Sequence, residues 1–194
     1  MSGRSVLKGI GLGAAAAAVG AWSSTARGRR ADEAAFRAAN ADRGPVADRV
    51  YAGVTELGSW WAAGAAAAAL ALAGHRRSAV RGLAGASITW LAGQGLKRVF
   101  LRPRPYDADP GGTRLMIGRP RGTSWPSSHP AVLVAFLSVV QRDLRLGMPA
   151  RRALDALGNV VGASRVYLGV HYPSDVAGGI LLGRAVAELF SDGG

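Results

Sequence analysis

Three short blocks hold the residues that could do chemistry. The first is "KRVFLRPRP", residues 97–105, in which Lys97 precedes Arg104 and prolines 103 and 105 flank that arginine. The second is "SWPSSHP", which sets Ser127, Ser128 and His129 between Pro126 and Pro130. The third is "SRVYLGVHYPSD", in which Ser164, Arg165 and His171 precede Asp175, with Pro173 between the last two. An aspartate near a histidine can fix its tautomer and steady its imidazolium form. Two histidines, an aspartate, several cations and a hydroxyl are the set that phosphoryl transfer needs. Its transition state spreads negative charge over equatorial oxygens, so fixed cations and donors supply most of the catalysis. One histidine would attack in line and the other would protonate the leaving oxygen on the opposite side, with no metal required.

Taken singly, each block has a plainer reading. "KRVFLRPRP" is also a basic anchor at a membrane boundary, "SWPSSHP" a capped helix start with a solvent-facing histidine, and "SRVYLGVHYPSD" a polar loop with a salt bridge. Some details lean further. Lys97 is one of only two lysines among 24 basic residues, which hints that an ammonium is wanted there. Proline is favoured at the first helical position, so Pro130 predicts a helix starting there with Ser128 or His129 near its N-cap. Such an end offers free N–H groups and a positive dipole to a phosphate. The combination of all three blocks, brought to one side of a helical bundle, favours the phosphate reading.

The elements that must position these blocks are apolar. The chain of 194 residues fits one ordinary domain, and it has no cysteine, which excludes disulfides, thiolate metal sites and cysteine nucleophiles. Net charge is +12, which calls for an anionic partner, yet 49% of residues are hydrophobic and mean hydropathy is positive. A soluble nucleic-acid-binding protein would need its charge on one continuous face, so nucleic acid is set aside as a partner. Basic loops joining apolar helices explain both features. Apolar stretches recur at 6–22, 59–74, 79–96, 130–140 with a continuation to 146, 153–170 and 176–190. A membrane-spanning helix takes about 20 such residues, and these stretches sit at or below that limit. Six of them, with few internal charges, predict an all-α, six-helix transmembrane bundle.

The expected organisation is a single membrane-embedded domain over 1–194. Residues 1–24 form an uncleaved first helix or anchor, since no Ala-x-Ala-like cleavage site follows the first apolar run. Residues 25–57 form an amphipathic surface segment interrupted at Gly44-Pro45. Residues 58–194 form the core bundle, with the three blocks at 97–105, 126–129 and 164–175. Pairs of small residues four apart, Gly9 with Gly13 and Gly179 with Gly183, would let helices approach closely, although a glycine-rich chain also produces such pairs by accident. Arg76, Arg77 and Arg81, and then Arg142, Arg145, Arg151 and Arg152, cluster in the loops that share the N-terminal side. By the positive-inside rule that side is cytoplasmic, which puts the three blocks on the extracytoplasmic face of a multi-pass cell-membrane protein.

With these residues in view, the sequence resembles the type 2 phosphatidic acid phosphatase superfamily, which also includes bacterial acid phosphatases and vanadium haloperoxidases. The family pattern is Lys-x6-Arg-Pro, then Pro-Ser-Gly-His, then Ser-Arg-x5-His-x3-Asp. Ten of its eleven fixed positions match here: Lys97, Arg104, Pro105; Pro126, Ser127, His129; Ser164, Arg165, His171 and Asp175. The resemblance implies His171 as nucleophile, forming a phosphohistidine, with Asp175 orienting it. It implies His129 as the acid that protonates the leaving group and later activates water. Lys97, Arg104, Ser127 and Arg165 would hold phosphate oxygens, with the backbone N–H at Ser128 beside them and Ser164 in support. No metal or other cofactor is implied. The implied function is hydrolysis of a lipid phosphomonoester or diphosphate: a polyprenyl phosphate or diphosphate, phosphatidylglycerol phosphate or phosphatidic acid.

Ser128 is the departure, standing where the family has glycine. Serine keeps the N–H, but it would cost on the order of 1 kcal/mol or more if the position requires positive φ. Two other readings follow from the same residues. A vanadate-dependent haloperoxidase uses such a cradle, but those proteins are typically large and soluble. A non-catalytic membrane protein that kept the fold would explain the Ser128 change as lost activity.

Overall fold

In the computed structural model, residues 2–191 are described, and the helices follow the chain as α1 (Gly3–Ser23), α2 (Ala26–Ala39), α3 (Pro45–Thr55), a 3₁₀ turn (Glu56–Gly58), α4 (Trp60–Leu72), α5 (Arg76–Val99), α6 (Pro105–Ala108), α7 (Ser128–Asp143), α8 (Met148–Tyr167) and α9 (Pro173–Glu188). Each of the six apolar stretches forms one of these helices: α1, α4, α5, α7, α8 and α9. The expected count of six is too low, because the polar connections are helical as well, giving nine α-helices among the described residues. The segment 25–57 splits into α2 and α3 where Gly44 takes φ +86°, a conformation that strains other residues, and Pro45 opens the next helix. Pro105 likewise opens the single turn of α6.

α7 is the central helix. Pro130 through Phe136 and Ser138 through Val140 are all buried, and α5, α8 and α9 pack around them. α7 and α9 approach closely. A Cβ at Gly179 would lie 2.3 Å from the Ser127 carbonyl oxygen, and one at Gly183 would lie 2.4 Å from that of Ala131. The Gly179/Gly183 pair is therefore a true backbone contact of the small-xxx-small kind. The other pair is half real: a Cβ at Gly9 would lie 3.3 Å from the Ala185 carbonyl oxygen of α9, whereas nothing lies within 4 Å of a Cβ at Gly13. α1 is further tied to α9 by an ion pair between Lys8 and Glu188 at 3.0 Å.

The outward faces are apolar too. Trp61 and Leu72 on α4 are 89% and 90% exposed, and Leu7 and Ile10 on α1 and Val80, Leu91 and Val99 on α5 face outward with them. Helices that are apolar both inside and outside suit a lipid surround rather than water. Among the described residues, α1 is the one helix long and apolar enough to cross a membrane by length and composition. α4 is apolar but has 13 residues, or about 20 Å, short of a hydrocarbon core of about 30 Å.

α7 begins at Ser128 with Ser127 as its N-cap, two residues earlier than Pro130 predicted. The first-turn N–H groups have no partner inside a helix, so a proline costs nothing at the third position either. The end of α5, the start of α7, the end of α8 and the start of α9 thus meet at one end of the bundle. Arg76 at the start of α5 and Arg145 after α7 lie at the other. Over the first end runs the loop between α6 and α7. Asn40, at the end of α2, pins it by donating to the carbonyls of Arg114 (2.9 Å) and Tyr167 (2.7 Å) and accepting from the Arg114 N–H (2.8 Å). Arg114 also pairs with Asp48 of α3 at 2.6 Å, which holds the Asp48 carboxyl below the usual carboxylate range.

Candidate active site

The α8–α9 connection presents His171. Gly169 turns the chain there with φ +82°, and a Cβ on it would strike the Arg114 carbonyl at 2.5 Å, so both conformation and space require glycine. His171 is 3% exposed. Its Nδ1 faces Asp175 Oδ2 at 3.5 Å and Ser124 Oγ at 3.4 Å, while Nε2 faces a terminal nitrogen of Arg104 at 3.2 Å. The carboxylate contact assigns the proton to Nδ1 and leaves the lone pair on Nε2. Burial, and then the charges of Arg104, Lys97 and Arg165 and the neighbouring His129, hold this imidazole well below the usual histidine range. It is therefore a neutral base with its lone pair toward the cations.

Asp175 sits in the first turn of α9, fully buried, with both oxygens engaged. Oδ2 accepts the Tyr172 N–H at 2.8 Å and the Ser124 hydroxyl, and Oδ1 accepts from Arg102 at 2.8 Å. The same side chain thus caps the head of α9 and faces the histidine, which explains why it is immobile enough to orient a ring.

The cations converge from three elements. Lys97, in the last turn of α5, donates to the Thr123 carbonyl at 2.7 Å and the Ser124 carbonyl at 3.4 Å. Arg104 reaches the carbonyls of Gly122 at 2.9 Å and Val170 at 3.0 Å besides His171. Arg165, near the end of α8, donates to Thr55 at 2.8 Å, and its Nε is buried with no partner. Ser127 is wholly buried and its backbone N–H donates to the Asp175 carbonyl at 3.0 Å, while its Oγ has no partner and caps nothing. A buried donor left unpaired costs about 1–3 kcal/mol, and a functional ligand is one of the few reasons to keep one. Ser127 Oγ and Arg165 Nε are two such donors in the second and third blocks, and an oxyanion would satisfy both.

His129 lies in the first turn of α7, partly buried. The 3₁₀ turn covers it: a Cβ on Gly58 would sit 2.8 Å from His129 Cβ and 2.7 Å from Val161. Ser128 has helical backbone, since Arg145 is the non-glycine residue with positive φ among those described. The strain considered for a serine at this position does not arise. Its hydroxyl points to α5, 3.9 Å from where a Cβ on Gly93 would be, an ordinary packing distance. The Ser164 side chain turns away as well: its hydroxyl donates to the Val161 carbonyl at 2.6 Å, inside its own helix. Sequence reasoning missed Ser124, Arg102 and Thr55, which bind the site residues directly. Of these only Ser124 and Arg102 had a local signal, lying inside or beside the blocks already singled out.

A profile of the PAP2 superfamily matches residues 78–192, the span that carries all three blocks. The chain belongs to the PAP2 superfamily. Within it, the chain is 35% identical over 159 residues to the decaprenylphosphoryl-5-phosphoribose phosphatase of Mycolicibacterium smegmatis, covering 81% of this chain and 84% of that protein. It is 30% identical to the undecaprenyl-diphosphatase of Bacillus subtilis, over 57% of this chain and 53% of that one. Among solved structures, the transmembrane PAP2-type phosphatidylglycerolphosphate phosphatase of Bacillus subtilis superposes with a TM-score of 0.74 at 25% identity, covering 94% of each chain. These relatives are phosphatases, and this PAP2 protein is a phosphoric ester hydrolase of the lipid phosphatase type, at home in a membrane.

Proposed function

We propose that this PAP2 protein releases phosphate from a polyprenyl-linked phosphate or diphosphate through a phosphohistidine on His171. One observation carries the mechanism: a buried His171 whose Nδ1 is held toward Asp175 and whose Nε2 meets Arg104, with unpaired donors on Ser127 and Arg165 of the second and third blocks. Nε2 attacks phosphorus, and the bond from phosphorus to the leaving oxygen breaks. Lys97, Arg104, Arg165, Ser127 and the Ser128 N–H hold the three equatorial oxygens, whose charge grows in the transition state. His129 gives its proton to the leaving oxygen. It then takes a proton from water, whose oxygen attacks the phosphohistidine; the N–P bond breaks and inorganic phosphate departs. Asp175 stabilises the positive charge that His171 carries while phosphorylated. Ser164 supports α8 rather than touching phosphate.

The polyprenyl class is favoured because both curated relatives act on polyprenyl-linked phosphates by name, one of them along most of its length. Phosphatidylglycerol phosphate is the second reading, supported by the solved structure with which the chain shares its fold. The six apolar helices form one multi-pass membrane domain that includes α1, with the 13-residue α4 reaching only part of the way across, and α2 and α3 lie along its surface. The arginines at the far ends of α5 and α7 support a cytoplasmic position for that end and an extracytoplasmic one for the site. Phosphate release in detergent tests this reading, with decaprenyl and undecaprenyl phosphates and diphosphates, phosphatidylglycerol phosphate and phosphatidic acid as substrates and a chelator present. Wild type should turn over a polyprenyl substrate fastest and His171→Ala none. Wild type no better than His171→Ala on every substrate would end the catalytic reading, and preference for phosphatidylglycerol phosphate would select the second.

A further inference from the structure

A buried carboxylate outside the three blocks reaches the catalytic aspartate through one arginine. Asp32, on α2, is 4% exposed although its helix carries Arg27, Arg29, Arg30 and Arg37 on its outer face. Its Oδ1 accepts the Ser174 N–H at 2.9 Å, and its Oδ2 accepts from Arg102 at 2.7 Å and from the Ser174 hydroxyl. Arg102 bridges onward, donating to Asp175 Oδ1 at 2.8 Å and to Ser174 Oγ at 2.6 Å, with its guanidinium 4.1 Å from the centre of the Tyr172 ring. A planar guanidinium fork suits such a double contact between two carboxylates.

The arrangement has two consequences for His171. Arg102 takes Oδ1 of Asp175 and so leaves Oδ2 to face the ring. A lone arginine at that distance would also cancel the negative charge that must steady a phosphorylated His171. Asp32 balances the arginine, so the trio keeps one net negative charge. By capping the Ser174 N–H, Asp32 also fixes the first turn of α9, on which Asp175 rides. None of this falls in Asp32's own neighbourhood of sequence, and Asp32 lies outside the matched span 78–192.

We propose that Asp32 and Arg102 are positioning residues for the hydrolytic reaction, making helix α2 part of the catalytic apparatus. This rests on the reading of His171 and Asp175 given above. The test uses the full chain in detergent with undecaprenyl diphosphate, or with the panel substrate that wild type turns over fastest. Asp32→Asn should lower kcat tenfold or more while KM and vanadate inhibition stay within about twofold, because the phosphate cradle is untouched. In an Asp175→Asn background, Asp32→Asn should cost less than a further twofold, since residues that act as a unit are not additive. Arg102→Lys, which keeps the charge but loses the fork, should show the same split between kcat and KM, and it carries the test if Asp32→Asn does not fold. Wild-type kcat in Asp32→Asn and Arg102→Lys, or a full additional loss on top of Asp175→Asn, would overturn the proposal. Either result with His171→Ala inactive would leave the site reading standing, whereas an active His171→Ala would sink that reading instead.

Discussion

Replacing Gly179 by alanine should cost this enzyme more activity than stability. Gly179 lies inside α9, so alanine gains about 1 kcal/mol of helix propensity. Its new Cβ would stand 2.3 Å from the Ser127 carbonyl oxygen and 3.3 Å from the Ser127 carbonyl carbon. To reach even about 3.0 Å, the Ser127 backbone must move by roughly 0.7 Å, and it is backbone, not a side-chain tip, that has to give. Overpacking of this kind costs about 1–3 kcal/mol, so the net loss is about 0–2 kcal/mol. The displaced residue, however, carries a buried unpaired hydroxyl and bonds through its N–H to Asp175, the partner of His171. A misplacement near 1 Å can cost on the order of a hundredfold in rate, so kcat/KM should fall at least about tenfold. The assay is phosphate release alongside thermal unfolding in detergent. Gly11→Ala is the control, since nothing lies within 4 Å of its Cβ and it should be neutral or slightly stabilising. A Gly179→Ala enzyme with kcat/KM within twofold of wild type would refute the claim that α9 sets the position of Ser127.

Three further outcomes are expected. Ser128→Gly should leave kcat/KM within about threefold, because Ser128 is helical and relieves no positive-φ strain when replaced; a gain above tenfold in the same assay would show that the hydroxyl obstructs substrate. Thr55→Val should destabilise by about 1.5–3 kcal/mol, since it strips a buried donor of Arg165 of its partner, and should raise KM as that guanidinium loosens; thermal unfolding and initial rates read both. Because the folded state holds His171 below its ordinary value near 6.5, the unfolded chain binds the extra proton first as pH falls. The thermal midpoint should therefore drop as pH goes below about 6.5, and His171→Gln should remove that part of the drop, as scans across pH 4–8 would show.

The three blocks were legible because spacing within each is local: Lys97 to Arg104 and Arg165 to Asp175 each fall within one or two helical turns of a helix end. The six apolar stretches were legible for the same reason. The helix count was not, because α2 and α3 are short and gain their order from contacts distant in sequence, such as Phe36 against Tyr172 and Tyr51 against Tyr167. The start of α7 was misplaced by two residues, since proline tolerates several first-turn positions equally. Ser164 matches the motif yet bonds within its own helix, which only coordinates could reveal. Arg102 to Asp32 and Arg165 to Thr55 span 70 and 110 residues, and no local periodicity encodes such pairs.

The most direct test of the mechanism is to trap the intermediate. Wild type mixed with radiolabelled undecaprenyl diphosphate and quenched within milliseconds should carry one acid-labile, base-stable phosphate, located by peptide mapping on His171 and missing from His171→Ala. His129→Ala should keep the label longer, since the residue that activates water is gone. Turnover by wild type with no protein-bound phosphate at any quench time, or with label on another residue, would contradict His171 as the nucleophile.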